Sequence, residues 1–183
     1  MTTTFEDQIP ATTVRDAVAG DEASFTRLVG AYHHDLLRVA YVIGGDMDLA
    51  EEAAQAAWVV AWRRLADVRD PAAIRSWLVA IAANEARQAL RRRRRRSVRE
   101  IRVETDDDLP AGNVSADVDR VDRVDMANLL AGLASEERTL IAMRYALGMS
   151  SEEIGVAVGA SAGTVRVRLS RLMGRLRREL VDG

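Results

Sequence analysis

The sequence predicts an all-α protein: two small helical modules joined by a flexible acidic linker. Three observations carry that expectation. Aromatic residues make up only 4% of the chain while apolar residues reach 48%. A core must therefore be built from Ala, Leu, Val and Ile, which suits packed helices better than a β-sandwich. Apolar positions recur at three-and-four spacing in the long periodic segments, and neither a strand pattern nor an internal repeat is visible. The 183 residues allow one ordinary domain or two small ones, and charge divides them. All 26 basic residues are Arg, against 28 acids, for a net charge of −2. Residues 1–62 hold 3 Arg and 10 acids, 63–103 hold 13 Arg and 4 acids, 104–125 hold 2 Arg and 8 acids, and 126–183 hold 8 Arg and 6 acids. Two basic surfaces separated by an acidic segment point to a polyanion held at two places.

The elements follow in order. Residues 1–12 read as disordered, and a short helix spans Thr13 to Ala19. After Gly20 an amphipathic helix begins at Asp21 or Glu22, carries Phe25, Leu28, Val29, Tyr32, Leu36, Leu37, Val39 and Ala40 inward, and ends at Gly44-Gly45. Asp48 opens a second helix with acids in its first turn and Arg63-Arg64 in its last, as the helix dipole prefers. Trp58 and Trp62, four apart, are expected to pack inward. Pro71 lies in a break from Ala66 to Ala73. A third helix buries Ile74, Trp77, Leu78, Ile81 and Leu90 before six consecutive Arg, 91–96. Residues 97–124 contain DDDLPAGN and read as a linker. Leu129, Leu130 and Leu133 mark a short helix from Met126, and Ser135-Glu136-Glu137 starts another that Gly148 ends. Ser150-Ser151-Glu152-Glu153 is a capping box for a helix that stops at Gly159. Ser161 caps a last long helix. The resulting division is an extension over 1–20, a module over 21–96, a linker over 97–124 and a module over 125–183.

Several chemistries are excluded. Without Cys there are no disulfides, thiolate zinc sites or Cys nucleophiles. His33 and His34 point about 100° apart on a helix and cannot chelate one metal together. No nucleophile–base–orienter set and no Gly-rich, Lys-type phosphate loop is visible. No catalytic residue, metal or cofactor is expected, and the chain is not read as an enzyme. No run of about 18 apolar residues and no cleavable leader pattern over Met1 to Pro10 appears, so a cytoplasmic protein without membrane insertion is expected. Gly155, Gly159 and Gly163 have the spacing of a small-residue packing motif, and close packing of soluble helices accounts for them.

Residues 150–180 carry the strongest motif: a capped helix, a glycine-containing turn and a longer helix, the helix-turn-helix plan. At about 100° per residue, Val165, Leu169, Leu172, Leu176 and Leu180 fall within roughly 80° of one another, and Thr164, Arg168, Arg171 and Arg175 cluster within about 60° on the adjoining flank. A helix that buries one stripe and presents Thr with three Arg beside it suits the major groove, where Arg offers paired donors to guanine edges and phosphates.

At this point a resemblance becomes specific. Leu133 to Arg138, Arg144-Tyr145, Gly148-Met149-Ser150, Glu152-Glu153-Ile154, and Gly163-Thr164-Val165-Arg166 through Arg168-Leu169-Ser170-Arg171 resemble region four of bacterial RNA polymerase sigma factors of the extracytoplasmic-function (ECF) subfamily. AEEAAQAAWVVAW (50–62) and IRSWLVAIAANEARQALRRRR (74–94) resemble region two. The resemblance implies a factor that binds core RNA polymerase, directs it to promoters and helps open the −10 element. It implies polymerase contacts, to the β′ clamp helices, at Glu51, Glu52 and Gln55, with Arg63 and Arg64 nearby; the β subunit is a second expected contact. It implies −10 element contacts by Arg69, Arg75, Ser76, Trp77, Asn84, Arg87, Gln88, Arg91 and Arg92, and −35 element contacts by Ser161, Thr164, Arg166, Arg168, Arg171 and Arg175. Val68, Ala83 and Gln88 depart from the family's usual loop aromatic, Arg and Asp. Glu104, Asp106, Asp107, Asp108, Asp117, Asp119 and Asp122 of the linker are candidates to mimic nucleic-acid charge in a basic channel. An anti-sigma protein is the further expected partner. Two rivals stand beside this reading: a stand-alone helix-turn-helix regulator of duplex DNA, and an enzyme that uses the basic helix as a nucleic-acid track.

Overall fold

The computed structural model describes residues 9–100 and 132–182, with side chains over 9–96 and 132–179. The order of elements is α1 (Ala11–Val18), α2 (Glu22–Gly44), α3 (Met47–Arg64), 3-10 turns at Leu65–Asp67 and Pro71–Ala73, α4 (Ile74–Glu100), α5 (Ser135–Ile141), a π turn (Ala142–Ala146), α6 (Ser151–Val158) and α7 (Ala162–Asp182). No strand occurs among the described residues.

Local chemistry sets most of the boundaries. Asp21 caps α2 by accepting from the Ser24 N–H at 2.7 Å. Asp46, two residues earlier than expected, caps α3 through the Leu49 N–H at 2.8 Å. Pro71 opens its turn with φ already set, and Asp70 accepts from the Ala72 N–H. Helix α4 continues past Arg96 to Glu100. The Arg run is a good helix former, and no Gly or Pro interrupts it. The rest of the expected linker, its acidic positions and most of the expected helix near Met126 lie outside the described residues.

In the second module, the capping box forms as expected. Ser150 Oγ accepts from the Glu153 N–H at 3.1 Å, and the Glu153 carboxylate accepts from the Ser150 N–H at 2.7 Å. Gly159 ends α6 in the left-handed conformation at φ 66°. Ser161 caps α7 through the Thr164 N–H. One feature carries no sequence signal: the chain after α5 widens into a π turn, in which the Leu147 N–H reaches the Ala142 carbonyl at 3.0 Å. The widening lets Ala142, Met143 and Leu147 all enter the core.

Helices α2, α3 and α4 pack against one another in pairs. Ala50, Ala53, Ala54, Ala57 and Ala61 of α3, with Ala82, Ala83 and Ala86 of α4, are buried to 1% or less beside Leu28, Leu36, Val39 and Ile43 of α2. The second module docks directly on this bundle: α5 and the π turn lie on α2, and α6 lies on α4. Leu140, Met143, Met149, Ile154, Val165 and Leu169 thereby join the bundle's core as one continuous cluster. Of the stripe on α7, Val165, Leu169, Leu172 and Leu176 are buried as predicted, and Leu180 lies outside the residues whose side chains are described.

Trp62 corrects an expectation that Trp58 meets in part. Trp58 is half-buried, donating its indole N–H to His33 Nδ1 at 3.2 Å. Trp62 is 43% exposed, with its ring 4.7 Å from that of Phe25. Trp58 thus packs against the core as expected, whereas Trp62 is left at the outer edge, because the inner face of α3 is already filled by Ala57 and Ala61. Trp77 and Leu90 are likewise half-buried, while Ile74, Leu78 and Ile81 are buried.

A Cβ on Gly155 would sit 2.6 Å from the Ala160 carbonyl oxygen, whereas one on Gly163 would meet nothing nearer than Ser161 Oγ at 3.8 Å. Gly155→Ala is therefore expected to destabilise by about 1–3 kcal/mol, the usual range for an overpacked contact. Gly163→Ala is expected to be neutral or slightly stabilising. Urea unfolding of the two variants checks this, and equal effects would show that the α6–α7 turn does not need its close approach.

Candidate nucleic-acid interface

At about 100° per residue, Trp77, Asn84, Arg87, Gln88, Arg91 and Arg95 share a stripe of α4 roughly 100° wide. Asn84, Arg91 and Arg95 are exposed on it; Trp77, Arg87 and Gln88 are half-buried, Gln88 donating to Glu85. The stripe presents an indole, two amides and a row of guanidinium groups. Those are the groups that stack on unpaired bases and follow a phosphate backbone. Ser76 is 4% exposed, at the stripe's buried edge. Arg69 is exposed in the preceding loop, where Arg64 pairs with Asp67 at 3.0 Å.

Arg75 stands apart from this stripe. It lies about 180° around α4 from Asn84 and faces the second module. Its Nε donates to Asp35 Oδ2 at 2.8 Å, one terminal nitrogen donates to the Leu147 carbonyl at 2.8 Å, and the other lies 3.8 Å from Glu153 Oε1.

On the flank of α4, Arg92 pairs with Glu52 and Arg93 with Asp46, both at 3.0 Å, across a groove lined also by Leu49, Ala89 and Arg96. Glu51, Glu52 and Gln55 are exposed on the outer face of α3, and Val59, Trp62 and Arg63 continue that face. The face thus runs from acidic to apolar to basic. A candidate polymerase contact, Glu52, and a candidate DNA contact, Arg92, hold each other in this structure.

The third surface is α7. Thr164, Arg166, Arg168 and Arg171 are exposed, and Arg175 is half-buried. Ser161 and Thr164 hydroxyls lie 2.9 Å apart at its N-terminus. Arg166 pairs with Glu152 at 3.2 Å, and Arg175 with Glu137 at 2.8 Å and Glu179 at 3.7 Å. Arg138 is buried in this module; burial holds its guanidinium below the usual arginine range, and Arg94 of α4 adds repulsion.

Sequence reasoning finds the basic residues and misses their acidic partners. Asp35 is a single acid on a polar helix face, and nothing local marks it; Asp46, Glu137 and Glu152 stand at helix starts, where a capping or first-turn role is legible but the pairing with a distant Arg is not. Glu153 is legible as a cap but not as a neighbour of Arg75. Among the described residues no group of three His, Asp or Glu could hold a metal ion, and no helix is long and apolar enough to cross a membrane.

The chain matches the sigma-70 region 2 family over residues 28–96 and the sigma-70 region 4 family over residues 123–176. It is 30% identical to the ECF RNA polymerase sigma factor SigM of Mycobacterium tuberculosis over 89% of its own length and 80% of that relative. It is 28% identical to a probable RNA polymerase sigma factor, RfaY, of Xanthomonas campestris pv. campestris over 91% of its length, but spans only 42% of that protein. Among solved structures it resembles CnrH in complex with the cytosolic domain of CnrY, with a TM-score of 0.68 and 25% identity, covering 94% of this chain and 97% of that one.

Asp46 joins two of these surfaces, capping α3 and pairing with Arg93. The Leu49 N–H first, and then Arg93, hold its carboxyl below the ordinary aspartate range. A carboxylate with a lowered folded-state pKa contributes stability above its unfolded value, near 4, and loses it as pH falls through the folded value. Asp46→Ala is expected to cost about 1 kcal/mol at pH 7, with the difference from wild type shrinking below about pH 4. Urea unfolding across that range checks it; an undiminished difference at the acid end would remove Asp46 from this role.

Proposed function

The chain belongs to the ECF group of sigma-70-family RNA polymerase sigma factors, and from that premise we propose that it binds core RNA polymerase, directs it to specific promoters and helps melt the −10 element. One observation carries the proposal. The two modules that match regions two and four each present a separate Arg-bearing helix surface, one with the stacking and amide groups of a single-strand site and one on the second helix of a helix-turn-helix. A stand-alone duplex regulator has no use for the first.

In this reading the outer face of α3 docks on polymerase. Glu51, Glu52 and Gln55 meet basic residues of the β′ clamp helices, and Arg63 and Arg64 lie at the far end. Complementary charge of this kind speeds association more than it tightens it. Arg69, Trp77, Asn84, Arg87, Gln88, Arg91 and Arg92 handle the opened −10 strand, with Ser76 supporting the start of α4 from below. Thr164, Arg166, Arg168 and Arg171 enter the major groove at −35, while Ser161 and Arg175 set the two ends of that surface. The chain acts in the cytoplasm beside polymerase and performs no catalysis itself. An anti-sigma protein is its further partner, in keeping with the partner chain bound to CnrH.

Run-off transcription with core polymerase on fragmented genomic DNA tests the proposal. Start sites that appear only when this protein is added are expected, with two shared upstream elements. A folded protein that binds core and yields no new starts would refute it. For duplex binding, about four phosphate-neutralising Arg predict a log–log salt slope near −3.6. Arg168→Ala with Arg171→Ala is expected to reduce it to about −1.8, and an unchanged slope in a filter-binding titration would take these two residues off the DNA.

A further inference from the structure

Neither polymerase docking nor DNA binding, as proposed above, uses helix α1. The family match begins at residue 28, so Ala11–Val18 lies outside it. Eight residues are too few for a helix to hold alone, and four of them are the β-branched Thr12, Thr13, Val14 and Val18. The segment is helical because it is docked. Thr13, Val14 and Ala17 are buried, and Val14 and Ala17 share one core cluster with Leu65 and Ile74. Both ends are fixed as well. A hydrogen bond ties the Ile9 backbone to the Tyr32 side chain ahead of the helix. Behind it, Gly20 turns at φ 96°, the Asp21 N–H donates to the Asp16 carbonyl at 3.0 Å, and Asp21 then caps α2.

Besides α2, this helix lies on both 3-10 turns, Leu65–Asp67 and Pro71–Ala73. Those turns are the two feet of the loop Val68–Arg69–Asp70, which carries Arg69, a proposed −10 contact. The loop does little to hold itself. At one foot the Val68 N–H donates to the Leu65 carbonyl at 3.1 Å. At the other the Ala73 N–H donates to the Asp70 carbonyl and the Ala72 N–H to Asp70 Oδ1, both at 3.0 Å. Each of these bonds stays within one foot, and none of them fixes the distance between the two. Leu65 and Ile74, one at each foot, are buried in the cluster that Val14 and Ala17 complete, and Val68 packs against it. Helix α1 is therefore placed to set the spacing that the loop does not set for itself.

We propose that α1 is a positioning element for the loop Val68–Asp70: its buried face, Thr13, Val14 and Ala17, holds the two turns at a fixed separation and so sets which unpaired base the loop accepts beside Arg69. That the loop receives a base rests on the sigma-factor reading; that α1 sets the loop's shape does not. No residue of α1 touches DNA in this role. A rigid support behind a binding loop raises selectivity, because a loop that can relax accommodates the wrong base at little cost. A three-residue loop held only by its own turns is a segment that opens locally, well before the bundle does.

The test uses the full chain. Val14→Ala removes two methyl groups from the buried face. Gly20→Ala strains the positive-φ joint that places α1 without emptying any core space, since a Cβ there meets nothing within 4 Å. In either variant, hydrogen exchange at the Val68, Ala72 and Ala73 amides is expected to speed up about tenfold more than at Ala57 and Ala82 in the α3–α4 seam. Single-stranded oligonucleotides carrying the −10 element recovered by run-off transcription, with each base changed in turn, report selectivity. The spread in affinity between best and worst base is expected to shrink by about threefold, while affinity for a −35 duplex stays as it was. Exchange that rises equally at the turns and in the seam would overturn the proposal, because α1 would then supply stability alone. Faster loop exchange with an unaltered base preference would overturn the selectivity role. If Val14→Ala does not fold, Gly20→Ala carries both readouts. The exchange measurement involves neither polymerase nor DNA, so its failure is distinguishable from a failure of the run-off result.

Discussion

Five alanines of α3 and three of α4 sit at 1% exposure or less, and their small size lets the helix backbones of the first bundle approach closely. The other arrangements follow from that approach. With the inner face of α3 occupied by methyl groups, its carboxylates, Gln55 and the edges of Trp58 and Trp62 are left on the outside. With α4 held close along the same seam, its Arg-rich half is carried past the end of the bundle as a continuation of a well-packed helix. Larger side chains at Ala54, Ala57 or Ala83 would push α3 and α4 apart, and the pairs Arg92–Glu52 and Arg93–Asp46 would lose their register.

Charge on the basic helix surfaces is held by carboxylates close by. Arg92, Arg93, Arg166 and Arg175, each on or beside a proposed nucleic-acid surface, are paired with a carboxylate of a neighbouring helix in the isolated chain. Most of these pairs are exposed, and such pairs contribute little to stability. A phosphate backbone, with its denser charge and the entropy of counterion release, can displace them at small cost. The Arg75 cluster differs in being less exposed and in ending on a main-chain carbonyl, which suits it to holding two bodies together.

The fold was readable wherever a local rule decided it. The capping box at Ser150 and Glu153, the stripe of Val165, Leu169, Leu172 and Leu176, and the cap at Ser161 each depend on residues within four or so positions, and each appears where expected. Legibility fails where a distant neighbour decides. The exposure of Trp62 does not follow from spacing, which says which residues share a face but not that alanines already fill the inner one. The π turn at Ala142–Ala146 has no local mark, since its reason is to bring Leu147 into a core built elsewhere. At the candidate site the Arg residues were legible from their helix faces. Their partners were not, because Asp35 meets Arg75 across 40 positions and Leu147 meets it across 72.

The contact between Arg75 and Leu147 is made to the backbone. A main-chain carbonyl is the same group whatever side chain stands above it, but its position here is set by the burial of Leu147 and Met149 in the shared core. A polar or smaller residue at either place would move the acceptor by changing the path of the turn. How closely the two bodies fit is thereby tied to two buried apolar side chains as well as to the charged groups around the guanidinium.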